Sequence, residues 1–93
     1  MQELLYKEEI YQLVGFCLEI HRELEKGHDE ILPHFYCADF VVWHKILLEA
    51  KAVESLTDSH VKQVLNYLAA SKLRVGLLVN FGGDSLEWKR VVL

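Results

Sequence analysis

Two neighbouring runs rich in aromatic and β-branched residues, Phe35 to Trp43 and Ile46 to Val53, are separated only by His44-Lys45, which commits the middle of the chain to a β-hairpin. Each run carries charge where an apolar strand has little use for it: Asp39 in the first, Glu49 and Lys51 in the second. Charges in such surroundings are costly unless they are paired or used. Glu49 and Lys51 are two residues apart, so both leave one face of the strand while Leu48 and Ala50 point to the other. Asp39 joins them across an antiparallel pair if it lies opposite Glu49, and that register leaves Trp43-His44-Lys45 as the loop. A two-residue loop turns it to the wrong side. No glycine is present to supply the left-handed residue that such loops often use. From spacing alone, the three charges fit a salt bridge on a solvated sheet face as well as they fit a working site.

Around this hairpin the periodicity changes. From Glu3 to Lys26 the apolar residues Leu4, Ile10, Leu13, Val14, Cys17, Ile20 and Leu24 recur every three or four residues, which predicts an amphipathic helix stopped by Gly27. The run from Gly27 to Pro33 keeps neither period and reads as a connector. Ser55, Thr57 and Asp58 compete to cap a second helix ending near Ser71, with Val61, Val64, Leu65, Leu68 and Ala69 on its inner face. Leu73 to Phe81 is a β-run, Gly82-Gly83-Asp84 a turn, and Leu86 to Leu93 a last strand. The expected order is α-β-β-α-β-β, an α/β (α+β) fold with a mixed sheet and flanking helices.

At 93 residues the chain has room for a single domain over 1–93, and 52% hydrophobic residues with one Pro give it ample core. That apolar fraction is high for so short a chain, which predicts a self-associating surface and at least a dimer. Ten basic against fourteen acidic residues, a net charge of -4, exclude nucleic-acid binding by overall positive charge and leave only a local role. No apolar run approaches the roughly 18 residues of a membrane span, and the acidic start is unlike a signal peptide. A soluble, cytoplasmic protein is expected. Cys17 and Cys37, without CxxC spacing, read as buried small hydrophobes in a reducing compartment.

Asp39 followed by Glu49-Ala50-Lys51 resembles the D…ExK signature of the PD-(D/E)XK nuclease superfamily, with Ala38 where the name puts a proline. Gln63-Val64-Leu65-Asn66-Tyr67 matches the QxxxY motif of its helicase-associated exonuclease branch. More narrowly, Glu19 to Leu24 followed by Gly27, then Glu49 to Val53, Gln63 to Leu68, and Gly76 to Gly82 with Lys89 to Leu93 are similar to the GxxExxY proteins. The name-giving motif survives only as Gly27-His28-Asp29-Glu30, with Pro33 in place of its tyrosine. A helix and a strand that follow it in that family are missing here, so the expected architecture is a truncated restriction-endonuclease-like core.

The resemblance implies metal-dependent phosphodiester cleavage, with DNA rather than RNA as the substrate. It casts Asp39 and Glu49 as ligands of Mg²⁺ (or Mn²⁺), a choice that suits a hard cation, and the backbone carbonyl of Ala50 as a further ligand. Glu19 corresponds to an acidic ligand that many members add from the first helix. Lys51 would orient or deprotonate the attacking water, or stabilise developing charge. Gln63 and Tyr67, one helical turn apart, would support the metal-bound water or the phosphate. The competing readings are a catalytically inactive nuclease fold acting as a homo-oligomeric interaction module, and a marginal fragment stabilised by association.

Other polar residues read more blandly. Glu30 caps or solvates the connector. His28, His34 and Cys37 lack the fourth ligand and paired spacing of structural zinc. Gly82-Gly83 has no phosphate-loop context. Lys72, Arg74, Lys89 and Arg90 fit a nucleic-acid backbone and the protection of strand edges equally well.

Overall fold

The computed structural model describes residues 5–26 and 37–93, with Cys37–Asp39 described by their backbone. Among these residues two helices and four strands follow in the expected order: α1 (Lys7–Glu25), β1 (Cys37–Val42), β2 (Ile46–Lys51), α2 (Asp58–Ser71), β3 (Val75–Asn80) and β4 (Glu87–Val92). The connector from Gly27 to Pro33, including Glu30 and His28, lies outside the described residues, as do His34 and the first two residues of the expected first strand. The strands form one sheet in sequence order, β1-β2-β3-β4. The outer pairs are antiparallel and the central β2–β3 pair is parallel, so the sheet is mixed, and α2 supplies the crossover that a parallel pair requires. This is an α+β fold consistent with a small restriction-endonuclease-like core.

The hairpin adopts the register that places Asp39 opposite Glu49, with Val42 paired to Ile46 and a three-residue loop between them. The loop closes through the Lys45 N–H, which donates to the Val42 carbonyl at 3.1 Å. In place of glycine, Trp43 and His44 themselves take left-handed backbone angles, with φ of 55° and 61°. Lys45 also anchors the loop to α1, reaching Glu9 at 2.8 Å and stacking over the Tyr6 ring at 4.8 Å.

Strand alternation sorts the core into two layers. Ile46, Val75, Leu77 and Val79 meet Ile10, Leu13, Val14 and Cys17 of α1 on one face of the sheet. Leu47, Leu78 and Val91 meet Val64 and Leu68 of α2 on the other. β3 is buried along its whole length, which is why its sequence reads as a continuous apolar run rather than an alternating one. Gly76 lets α2 approach that strand, because a β-carbon there would stand 2.8 Å from a Val64 methyl. Thr57 precedes the first turn of α2, and its N–H donates to His60 Nδ1 at 2.9 Å. Among the described residues, no helix is long and apolar enough to cross a membrane.

Candidate functional site

Glu49 and Lys51 share the α2 face of β2 with Leu47, as the two-residue alternation dictates. Both are buried: Glu49 has no exposed surface and Lys51 only 5%. The Lys51 ammonium lies 3.7 Å from Glu49 Oε2 and donates to Gln63 Oε1 at 2.8 Å. In a region of low dielectric each charge is tolerable because of the other. A solvated surface salt bridge is therefore excluded for this pair. Asp39 is the residue across the ladder from Glu49, so its backbone position is on the same side of the sheet.

α2 sets the remaining distances. Val64 and Leu68 are fully buried against the sheet, which fixes the helix rotation, and Gln63 precedes that stripe on the side facing Lys51. Tyr67, four residues on, shares the helix face of Gln63 and is 41% exposed. The helix thus brings the Gln63 amide to the buried pair and carries the Tyr67 ring one turn further along the same face. Ala50 turns its methyl to the α1 side, where it lines an apolar hollow with Phe16, Cys17, Ile20, Phe40, Leu48 and Phe81, so a metal could use only its carbonyl.

Glu19 is not brought to this group. It is exposed on α1, and α1 packs on the opposite face of the sheet, against Ile46, Leu77 and Val79. The late basic residues also separate: Arg90 donates to the Leu5 carbonyl at 2.6 Å and braces the start of α1, whereas Lys72, Arg74 and Lys89 are exposed.

A second polar centre, not anticipated from the sequence, lies beside Lys51. Asn80 is fully buried and stands opposite Lys51 in the parallel ladder. Its Oδ1 accepts from the N–H groups of Val53 and Gly82, each at 2.9 Å. Its Nδ2 donates to the Val53 carbonyl and to Glu87 Oε1, also at 2.9 Å. Glu87 Oε1 accepts in addition from Leu56 N–H at 3.2 Å. With all four of its hydrogen-bonding positions in use, Asn80 ties the end of β2, the β3–β4 turn and β4 into one frame, to which the Phe81 N–H adds a 2.8 Å bond to the Lys51 carbonyl. Its sequence signal is the lone amide ending an otherwise apolar buried strand. On the α1 side, buried His21 reaches the Gly83 carbonyl at 2.8 Å and Glu25 at 3.2 Å, clamping α1 to the same turn.

A divalent cation fits this donor set. The buried Glu49 carboxylate and the adjacent strand carbonyl of Ala50 are oxygen donors of the hard type that Mg²⁺ takes while keeping several waters, and Asp39 stands opposite Glu49 in the ladder. Among the described residues no group of three or more His, Cys, Asp or Glu side chains is placed to hold a metal.

Residues 27–91 match a family model described as the PD-(D/E)XK nuclease superfamily. The matched span contains Asp39, Glu49, Lys51, Gln63 and Tyr67 and leaves out Glu19. No curated protein and no solved structure matches the chain.

Proposed function

The chain belongs to the PD-(D/E)XK nuclease superfamily, and from that premise we propose that it hydrolyses phosphodiester bonds, in DNA rather than RNA, at a site built from Asp39, Glu49 and Lys51. The observation that carries this reading is the buried Glu49–Lys51 pair facing Gln63. A fold has little structural reason to retain such a pair, since well-packed apolar residues of similar volume serve stability as well or better.

Asp39 and Glu49, with the Ala50 carbonyl, would hold Mg²⁺ or Mn²⁺. A divalent ion there supplies charge neutralisation at the phosphate and a more acidic bound water. Lys51 faces the same space, where its ammonium orients the attacking water and stabilises negative charge developing on the phosphate oxygens. Gln63 offers an amide that donates or accepts, and Tyr67 offers an exposed ring and hydroxyl one helical turn away. Glu19 remains assigned to the metal only if α1 presents it from the other side of the sheet, and nothing in the placement of that helix supports this.

Titration calorimetry with Mg²⁺ and Mn²⁺, alongside cleavage of single- and double-stranded DNA, tests the reading. Binding and cleavage are expected in the wild type, both lost in Glu49→Ala. Lys51→Ala is expected to abolish cleavage while metal binding persists. A protein that neither binds metal nor cuts overturns the proposal.

A second reading, a homo-oligomeric interaction module, is favoured by β1. Among the described residues this strand forms an edge of the sheet, and Phe40 and Val41 stand 50% and 57% exposed on its two faces. Exposed apolar edges of this kind invite pairing with another chain. Light scattering at micromolar concentration is expected to give at least a dimer mass; a monomer removes this reading.

A further inference from the structure

We infer that Gln63 is a latch on Lys51: in the unliganded protein its side-chain carbonyl holds the ammonium, and an anionic oxygen must take that place before Lys51 can act on a ligand. The use of the latch rests on the hydrolytic reading above, whereas its geometry does not.

Two contacts of the ammonium among the described residues, with Glu49 and with Gln63, differ in their freedom. Glu49 is fully buried within β2 and held at 3.7 Å, so its carboxylate cannot leave without disturbing the sheet. Gln63 lies on the exposed side of α2, with its amide reaching inward to 2.8 Å. The helix beneath it is pinned by Val64 and Leu68, both fully buried, so the amide can swing out by side-chain rotation alone. Rotamer changes of exposed side chains take picoseconds to nanoseconds. Once outside, the amide exchanges one hydrogen bond for water, which makes release inexpensive.

Lys51 cannot do the same. Its side chain is 6% exposed, and an ammonium at that depth requires acceptors. An incoming oxyanion that approaches from the α2 side therefore competes with a neutral carbonyl for the N–H that Gln63 occupies, one of the three donors of the ammonium. Charge-assisted hydrogen bonds are roughly twice as strong as neutral ones, so a phosphate oxygen displaces the amide while a neutral ligand does not. The latch selects for anions in a chain of net charge -4, whose overall field offers them no attraction. Gln63 is on this view a positioning residue, acting through Lys51.

Acetylation of the full chain by acetic anhydride, read lysine by lysine by mass spectrometry without metal or nucleic acid, tests the latch. Exposed Lys62 and Lys72 serve as references within the same molecules. Wild-type Lys51 is expected to react far more slowly than either. In Gln63→Ala its rate relative to Lys62 is expected to rise roughly tenfold, the factor that corresponds to about 1.4 kcal/mol. In Gln63→Glu, whose carboxylate can still accept from the ammonium, protection is expected to remain. Equal Lys51 labelling in wild type and Gln63→Ala, with both proteins melting cooperatively, overturns the inference. So does equal deprotection in the Ala and Glu variants. Protection that depends on Gln63 in a protein that cuts nothing would keep the latch and discard the hydrolytic reading.

Discussion

Asp39 lies directly opposite Glu49 in the antiparallel ladder of β1 and β2, one strand separation from the most deeply buried charge among the described residues. Glu49 in turn shares its strand face with Lys51, so one register sets the backbone of Asp39 beside the two buried charges. Shifting that register by one residue would send Asp39 to the α1 side and break the set.

Because Glu49 and Lys51 are buried together, they are expected to depend on each other for stability. Lys51→Met takes the ammonium from beside the buried carboxylate, and Glu49→Ala takes the carboxylate from beside the buried ammonium; each is expected to cost about 3–5 kcal/mol in urea unfolding. The double variant Glu49→Leu/Lys51→Met is expected to recover most of that loss. Additive losses in the double-mutant cycle would show that the two side chains are energetically independent.

Asn80 serves four partners at 2.9 Å. Asn80→Ala is expected to destabilise the fold by more than about 3 kcal/mol, since several buried groups lose their partners at about 1–3 kcal/mol each. Asn80→Asp is expected to be worse at neutral pH, because an ionised carboxylate cannot donate to the Val53 carbonyl and sits beside Glu87. Its stability is expected to recover as the pH falls and the new carboxyl takes up a proton. Thermal melts of both variants from pH 4 to 8 check the sign; a flat profile for Asn80→Asp would contradict it.

The hairpin loop carries strain that glycine would relieve. With φ of 61° at His44, His44→Gly is expected to stabilise the protein by about 1 kcal/mol, read from denaturant midpoints. His44→Val is expected to destabilise it, as β-branched residues resist left-handed angles.

Cys17 is buried between α1, to which it belongs, and the sheet, and burial pushes its thiol up to about 11. The folded state therefore keeps its proton at pH values where the unfolded thiol, near 9, has released one. That difference stabilises nothing below pH 9 and costs stability of the folded form as the pH climbs from 9 towards 11, because the unfolded chain gains by ionising. Alkylation by iodoacetamide at pH 8 is expected to be negligible for Cys17 in the native protein and complete in urea. Rapid native labelling of Cys17 would show that α1 opens readily.

The architecture was largely legible because its signals are local. The helical period of α1, the strand chemistry either side of His44-Lys45 and the turn at Gly82-Gly83 each act over a few residues, and the Asp39–Glu49 register followed from alternation and loop length. What escaped the sequence depended on three-dimensional neighbours. The left-handed Trp43 and His44 break a propensity rule, because the pairing of Val42 with Ile46 outweighs their preference. The depth of Glu49 and Lys51 reflects α2 lying over β2 and β3, which periodicity does not state. Asn80 gathers partners from three segments, and His21 finds Gly83 across 62 residues. Glu19 carried a motif-based assignment, yet helix rotation and the face to which α1 docks decide where it points.

The strands pair in the order in which they are made, so most of the sheet assembles from neighbours in the chain, the condition for rapid folding. Asp39, Glu49, Lys51, Gln63 and Tyr67 all belong to three consecutive elements, β1, β2 and α2. Among the described residues, α1 and the residues before it join the rest through contacts that are distant in sequence, Arg90 to Leu5 across 85 residues and His21 to Gly83 across 62. Loop-closure entropy makes those contacts the last to form and the first to open. Partial detachment of the N-terminal helix, which packs on the opposite face of the sheet, is therefore expected to leave the Glu49–Lys51–Gln63 contacts standing.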